Sequence, residues 1–162
     1  MIRNASVKDH GAVAAMLAPV MAAGESYALP QDMDAATLAA YWFGVDKRAF
    51  VAVDADGTLL GSYYLRANQA GGGAHVANCG YVTAAAARGR GIAKAMALHS
   101  FDVARAAGFR AMQFNCVVAS NVVAVHLWQA LGFAIVGRVP DAFAHPNLGY
   151  VDTLVMHRSL LD

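Results

Sequence analysis

The chain has 162 residues, with 12 Lys and Arg against 11 Asp and Glu and a formal net charge of +1. That length suits one domain with a full core, spanning residues 1–162, and the balanced charge provides no field to hold a polyanion, so no nucleic-acid partner is expected. Apolar residues make up 58% and charged residues 14%, which excludes wholesale disorder.

In chain order, a short strand at residues 2–5 leads into a helix. Ser6 and Asp9 make a capping-box start, and Val13, Met16, Leu17 and Val20 recur at helical spacing. Pro19 is expected to kink this helix and Gly24 to stop it. Asp34 caps a second helix whose apolar stripe is Leu38, Tyr41, Trp42 and Val45. Residues 50–53 and 59–65 flank Asp56-Gly57, a hairpin signal. A third strand covers residues 75–83. A glycine-arginine turn then opens a long helix, residues 91–107, with Ile92, Ala95, Met96, His99 and Val103 as its core face and Gly108 as its stop. A strand at 112–118, a helix at 121–131 and strands at 133–139 and 150–157 complete the chain. Crossover helices after a meander imply some parallel pairing within a mixed sheet, an α+β fold.

A mean hydropathy of +0.41 reflects heavy alanine usage. The longest apolar run, residues 12–23, carries Pro19 and falls short of the ~18 residues that a membrane span needs. The first residues lack the apolar stretch of a signal peptide. Cys79 and Cys116 are far apart with no clustering at metal spacing, so no metal is expected, and a reducing cytoplasm is the economical location.

The segment Arg88-Gly89-Arg90-Gly91-Ile92-Ala93 lies between a strand and a helix. Glycines allow close backbone approach. A helix start presents free N–H groups and a positive dipole end, and two arginines add charge, which together make an anion cradle suited to a pyrophosphate. No Gly-Lys-Ser/Thr follows, so this is not a P-loop, and Lys94 stands where a dinucleotide fold needs its third glycine. Residues 88–91 also fit a plain strand-to-helix turn with solvated arginines.

Arg88, Gly91 and Ala93 match the Gln/Arg-x-x-Gly-x-Gly/Ala signature of the GNAT superfamily, the CoA-dependent N-acetyltransferases. Asn121, Ala124, Leu127 and Trp128, followed by Gly132-Phe133, match that family's Asn-x-x-Ala-x-x-Leu-Tyr and Gly-Phe block, in its order and at its usual separation. The chain therefore resembles this superfamily, which implies a mixed, mostly antiparallel central sheet flanked by helices and acetyl-CoA as cosubstrate. By that resemblance, backbone amides across Gly89, Arg90, Gly91, Ile92 and Ala93, beside Arg88, hold the pyrophosphate. The strand ending Tyr81-Val82-Thr83 pairs with the pantetheine arm like an added strand, and a backbone N–H on it polarises the thioester carbonyl. Asn121 bonds the arm, while Ala124, Leu127 and Trp128 line its far side. The family often has Tyr where this chain has Trp128, and indole has no accessible acid chemistry, so the usual general acid is missing. Covalent transfer through Cys116 is the less expected route, because nothing beside it in sequence activates it.

The resemblance further implies a homodimer through late strands. Asn115, Asp152 and Gly137-Arg138-Val139-Pro140 resemble the subgroup related to yeast proline-analogue acetyltransferases, implying a small amino-acid-like acceptor amine with a carboxylate. Asn115, Glu25 and Asp152 are the candidate catalytic side chains, with Glu25 or Asp152 as base or anchor. Tyr27, Asn68, His75 and Asn78 are the candidate acceptor-binding residues, and residues 145–150 form a loop bordering the site. Asp152 paired with Arg138 is the bland alternative. The rival function is a non-catalytic acyl-CoA-binding or sensing module on the same fold, which Trp128 favours.

Overall fold

Continuous runs of buried residues at 50–53, 60–65 and 77–80 mark strands covered on both faces, at the centre of one seven-stranded sheet flanked by helices. The computed structural model describes residues 1–161. Its elements are β1 (Ile2–Asn4), α1 (His10–Ala23), α2 (Ala35–Trp42), β2 (Arg48–Val53), β3 (Leu59–Ala67), β4 (Val76–Thr83), α3 (Ile92–Ala106), β5 (Ala111–Val118), α4 (Val122–Ala130), β6 (Ala134–His145) and β7 (Gly149–Ser159). The sheet order is β1-β2-β3-β4-β5-β7-β6. Every neighbouring pair is antiparallel except β4 and β5, so the expected α+β architecture with a mixed, mostly antiparallel sheet is found.

The Ser6–Asp9 capping box forms, ahead of a single 3-10 turn that leads into α1. The Asp9 carboxylate accepts from the Ser6 N–H at 2.7 Å and from both terminal nitrogens of Arg3, tying β1 to the helix start. α1 continues through Pro19 as one 14-residue helix, and Gly24, in the left-handed region at φ 62, ends it. Asp34 caps α2 by accepting from the Thr37 N–H at 2.7 Å. Leu38 and Trp42 are buried as expected, whereas Val45 lies beyond the end of α2 and is fully exposed. The Trp42 indole donates to Ser62 Oγ at 2.9 Å, and Ser62 donates to the Phe50 carbonyl at 2.8 Å. This buried chain locks α2 to β3 and β2.

α1 and α2 cover one sheet face with Val13, Leu17, Met21, Leu38 and Trp42 against Val51, Val53, Tyr64 and Val82. α3 and α4 cover the other, where Met96, Phe101 and Trp128 meet Phe50, Leu65, Met112, Phe114 and Met156. The buried face of α3 is Met96, Ala97, Ser100, Phe101 and Ala104. The expected face was turned too far, because Ala95 is exposed. Ser100 is paid no penalty for burial: it accepts from the Tyr81 hydroxyl and donates to the Ala97 carbonyl, both at 2.7 Å.

Two irregularities position the site. β4 and β5 pair only at Val76↔Ala111 and Ala77↔Met112. Beyond that the Asn78 side chain donates to the Gln113 carbonyl at 2.9 Å, taking over from the ladder where the strands part. β5 also carries an extra residue against β7 between Phe114 and Val117. This bulge places Asn115 and Cys116 on the surface, as bulges re-aim side chains. Among the described residues no helix is long and apolar enough to cross a membrane.

Candidate active site

The parting of β4 from β5 opens two cavities. The first, of about 410 Å3, is bounded by β3, β4, bulged β5 and the loop after α1. Its lining includes Tyr27, Tyr41, Tyr64, Arg66, Asn78, Asn115 and Cys116. The second, of about 720 Å3, lies at the start of α3 and against α4, lined by Arg88, Gly89, Gly91, Ile92, Ala93, Lys94 and Leu127. Ser26, Tyr81, Thr83, Arg88, Asn121, Ala124 and Trp128 border both.

The second cavity has the chemistry of an anion cradle. Gly89 and Gly91 adopt φ 74 and 75, a region that costs L-residues roughly 1–2 kcal/mol. A Cβ at either position would meet no atom within 4 Å, so the backbone there faces open space. Gly91 is the N-cap of α3, and the first N–H groups of the helix have no partner within it. Arg88 and Lys94 bring positive charge to the lining, while Arg90 is exposed and outside it. Asn121 caps α4, its Oδ1 accepting from the Ala124 N–H at 3.1 Å. That leaves its amide N–H groups facing the shared wall.

Tyr27 reaches β4 from the loop after α1. The Tyr81 N–H donates to the Tyr27 hydroxyl at 2.9 Å, and that hydroxyl donates to the Tyr81 carbonyl at 2.8 Å. Tyr81 is a gap-facing residue, since its neighbours on β4 alternate toward β3. One backbone N–H of the segment Tyr81-Val82-Thr83, that of Tyr81, is therefore held by Tyr27 in this structure. Burial pushes the Tyr27 phenol well above its ordinary range, partly offset by the Tyr81 backbone bond. It stays protonated at neutral pH. The Tyr64 ring lies on Gly80, where an added Cβ would fall 2.5 Å from Cε1, so only glycine lets the ring form the floor of the first cavity.

The polar residues expected near the acceptor are distributed unevenly. Asn78 and Asn115 line the first cavity. Asn115 accepts from Gln113 Nε2 at 2.9 Å and donates to Asn68 Oδ1 at 2.7 Å, while Asn68 itself borders neither cavity. His75 is exposed and borders neither cavity. Asp152 also borders neither. It accepts from Arg138 at 2.5 Å and from the Asp141 N–H at 3.1 Å, contacts that hold its carboxyl below the usual range. This geometry fits the bland alternative of an ion pair that pins the β6 bulge, not a base. Glu25 lines the second cavity and not the first, and accepts from Asn147 at 3.4 Å. Of the two cysteines, Cys79 is buried and Cys116 is exposed at the bulge. Among the described residues no metal-binding cluster occurs.

Sequence reasoning missed Ser26, Tyr41, Tyr64 and Arg66. Tyr41 belongs to the apolar stripe of α2 by its spacing, and the structure turns it to the first cavity. Arg66 carried a usable signal, a cation at the end of an otherwise apolar strand. The loop at residues 145–150 does border the site, through His145 and Leu148.

The comparisons with known proteins agree with this geometry. Residues 17–133 match the model of the acetyltransferase (GNAT) family. The N-acetyltransferase aca1 of Schizosaccharomyces pombe is 32% identical over 108 residues, which are 66% of this chain and 52% of that protein. The chain thus spans about half the length of that relative. A GCN5-related N-acetyltransferase from Kribbella flavida superposes with a TM-score of 0.93 at 46% identity, covering 98% of this chain and 96% of that one. A phosphinothricin acetyltransferase from Sinorhizobium meliloti, solved with AcCoA, shares the fold at 22% identity and a TM-score of 0.86, covering 98% and 87%. The chain belongs to the acetyltransferase (GNAT) family.

Proposed function

We propose that this protein transfers the acetyl group of acetyl-CoA directly to the amine of a small, amino-acid-like acceptor that carries a carboxylate. The observation that carries this reading is the shared wall. A cavity built for a phosphate-bearing ligand and a second cavity rich in amide and cationic donors meet at Tyr81, Thr83, Asn121 and Trp128.

The residues present fit acetyl-CoA. The start of α3, with Gly89 and Gly91 in left-handed conformation and Arg88 and Lys94 alongside, suits the pyrophosphate. The gap-facing backbone of β4 suits the amides of the arm, and Asn121, Ala124, Leu127 and Trp128 form its other side. When bound, acetyl-CoA supplies an activated thioester. The chain's own contribution is orientation and the exclusion of water. Trp128 is nearly buried, 4.8 Å from Phe114 and 5.1 Å from Tyr81 between ring centroids, and walls the junction with apolar surface. Asn78, Asn115 and Arg66 offer donors to the acceptor's carboxylate.

No carboxylate or imidazole lines the first cavity among the described residues. The amine therefore enters in its neutral form, and its proton leaves to water. Trp128 supplies no acid, and a thiolate departs without one. A cytoplasmic location is part of this reading, carried by two free cysteines.

The experiment is calorimetric titration with acetyl-CoA followed, in the same sample, by thiol release against free amino acids and simple amines. Binding with acceptor-dependent thiol release supports the enzyme. Binding without release from any acceptor supports an acyl-CoA sensor, the reading that Trp128 favours. Absence of binding overturns both.

A further inference from the structure

The helical side of the first cavity is built from aromatic and aliphatic side chains. Tyr27, Tyr41 and Tyr64 line it around Trp42, which is fully buried behind them. The rings meet edge to face in series: Tyr27 with Trp42 at 6.5 Å between centroids, Trp42 with Tyr64 at 4.9 Å, and Tyr64 with Tyr41 at 6.1 Å. Aromatic pairs favour that arrangement, which holds the wall in one shape. Val20 of α1 and Leu29 of the following loop complete the wall, both partly buried against the same cluster.

The hydroxyls of this wall are already engaged. That of Tyr27 holds both backbone groups of Tyr81, and those of Tyr41 and Tyr64 bond each other at 3.3 Å. The other polar side chains of the lining lie elsewhere. Arg66, Asn78, Asn115 and Cys116 stand where β4 and the bulged β5 part, and Ser26, Thr83, Arg88 and Asn121 stand on the border with the second cavity.

Register fixes what this wall meets. Asn78, Gly80 and Val82 share one face of β4, opposite Arg66, Tyr64 and Ser62 of β3, and two residues of a strand span about 7 Å. An α-carbon above Gly80 has the amide and cationic donors on one side and the shared wall on the other. A carboxylate taken by the donors and an amine turned to the shared wall use both directions. The Tyr64 ring closes the floor at Gly80. The side chain is left with one direction, toward Val20, Leu29 and Tyr41.

We propose that the acceptor is a free α-amino acid with an apolar side chain, and that Leu29 and Tyr41 are the residues that select it. This rests on the acceptor reading above and adds the class of side chain. A polar side chain turned to that wall gives up its water and finds the hydroxyls there occupied, whereas an apolar one removes its own surface from water. The cavity of about 410 Å3 lies at the low end of the roughly 300–1,000 Å3 of small-molecule pockets, which suits one amino acid beside an acetyl group.

The test uses the twenty free L-amino acids as probes, scored by thiol release from acetyl-CoA. The decisive comparisons are matched in size: leucine with asparagine, and methionine with glutamine. Wild-type kcat/KM is expected to be at least about tenfold higher for the apolar member of each pair, the scale of leaving a buried amide without a hydrogen-bond partner. Leu29→Asn is expected to raise KM for leucine about tenfold, to change kcat little, and to bring the leucine-to-asparagine ratio toward one. Its effect on glycine, which has no side chain to place, is expected to be smaller. Leu29→Met, which keeps apolar bulk, retains most of the preference. Affinity for acetyl-CoA, measured on each variant by calorimetry, reports folding. Equal kcat/KM within the pairs, or a preference for the polar members, overturns the assignment in the wild type without needing any variant. A loss in Leu29→Asn that is the same for leucine and glycine overturns the selecting role of Leu29. If simple amines are acetylated and no free amino acid is, the acceptor reading itself falls and takes this inference with it.

Discussion

Tyr27 satisfies both backbone groups of Tyr81 with a single hydroxyl, and Phe at that position would leave them unmade. A buried N–H without a partner costs about 1–3 kcal/mol, so Tyr27→Phe should lower the free energy of unfolding by that order in a denaturant titration. The same substitution separates two roles of the hydroxyl. If an arm laid along β4 takes over these bonds, the variant has less to give up and should bind acetyl-CoA several-fold more tightly. Weaker binding would mean that the hydroxyl stays and contacts the cosubstrate. Nothing in the local sequence announces this contact, because α2, β2 and β3 all lie between residue 27 and the strand that holds residue 81. Asn115 was legible as a polar residue in an apolar strand. Its dependence on Asn68 and Gln113 was not, since the bulge that gathers them is a property of the β5–β7 pairing.

At the scale of elements, the junction of β4 with α3 was legible because everything it needs is local. Two glycines, a helix start and flanking cations lie within a few consecutive residues. Gly91→Glu places a carboxylate in the open space in front of the α3 N-terminus, and acetyl-CoA affinity should fall at least about a hundredfold by calorimetry, more than two powers of ten in a charge-assisted site. Gly91→Ala, which meets the same φ strain without charge, should cost stability of about 1–2 kcal/mol with a far smaller loss of affinity. Equal affinities for the two variants would remove α3 from the anion site. β6 shows the opposite case. Its expected end at residue 139 was drawn before Pro140, yet the strand continues to His145. β6 is the outermost strand and is bulged between Val139 and Phe143, a setting in which a missing N–H breaks no ladder.

For the molecule as a whole, the first cavity draws on α2, β3, β4, β5 and the loop after α1 at once, so no window of sequence contains it. Its ionisable groups give a clear expectation for pH. Burial raises the Tyr64 phenol and the Cys116 thiol above their ordinary values, as it does Tyr27. None of these groups changes charge in the neutral range. The rate should therefore rise with pH as the acceptor amine loses its proton, then level off above the amine's own pKa. For two acceptors of different amine pKa, the inflection in kcat/KM should move with the acceptor. An inflection fixed at one pH for both would reveal a base in the protein that this geometry does not contain.

The wall common to the two cavities has a consequence for the order of events. Tyr81, Thr83, Asn121 and Trp128 face both spaces, so an arm lying along them would itself become one side of the acceptor's enclosure. An acceptor arriving first would find that side open to solvent, and its carboxylate would be held at one end only. Turnover should then follow a compulsory sequence, cosubstrate before acceptor. In steady-state runs with varied acetyl-CoA, a dead-end acceptor analogue should act as an uncompetitive inhibitor, while noncompetitive inhibition, with slope and intercept both changed, would show that either molecule can enter first.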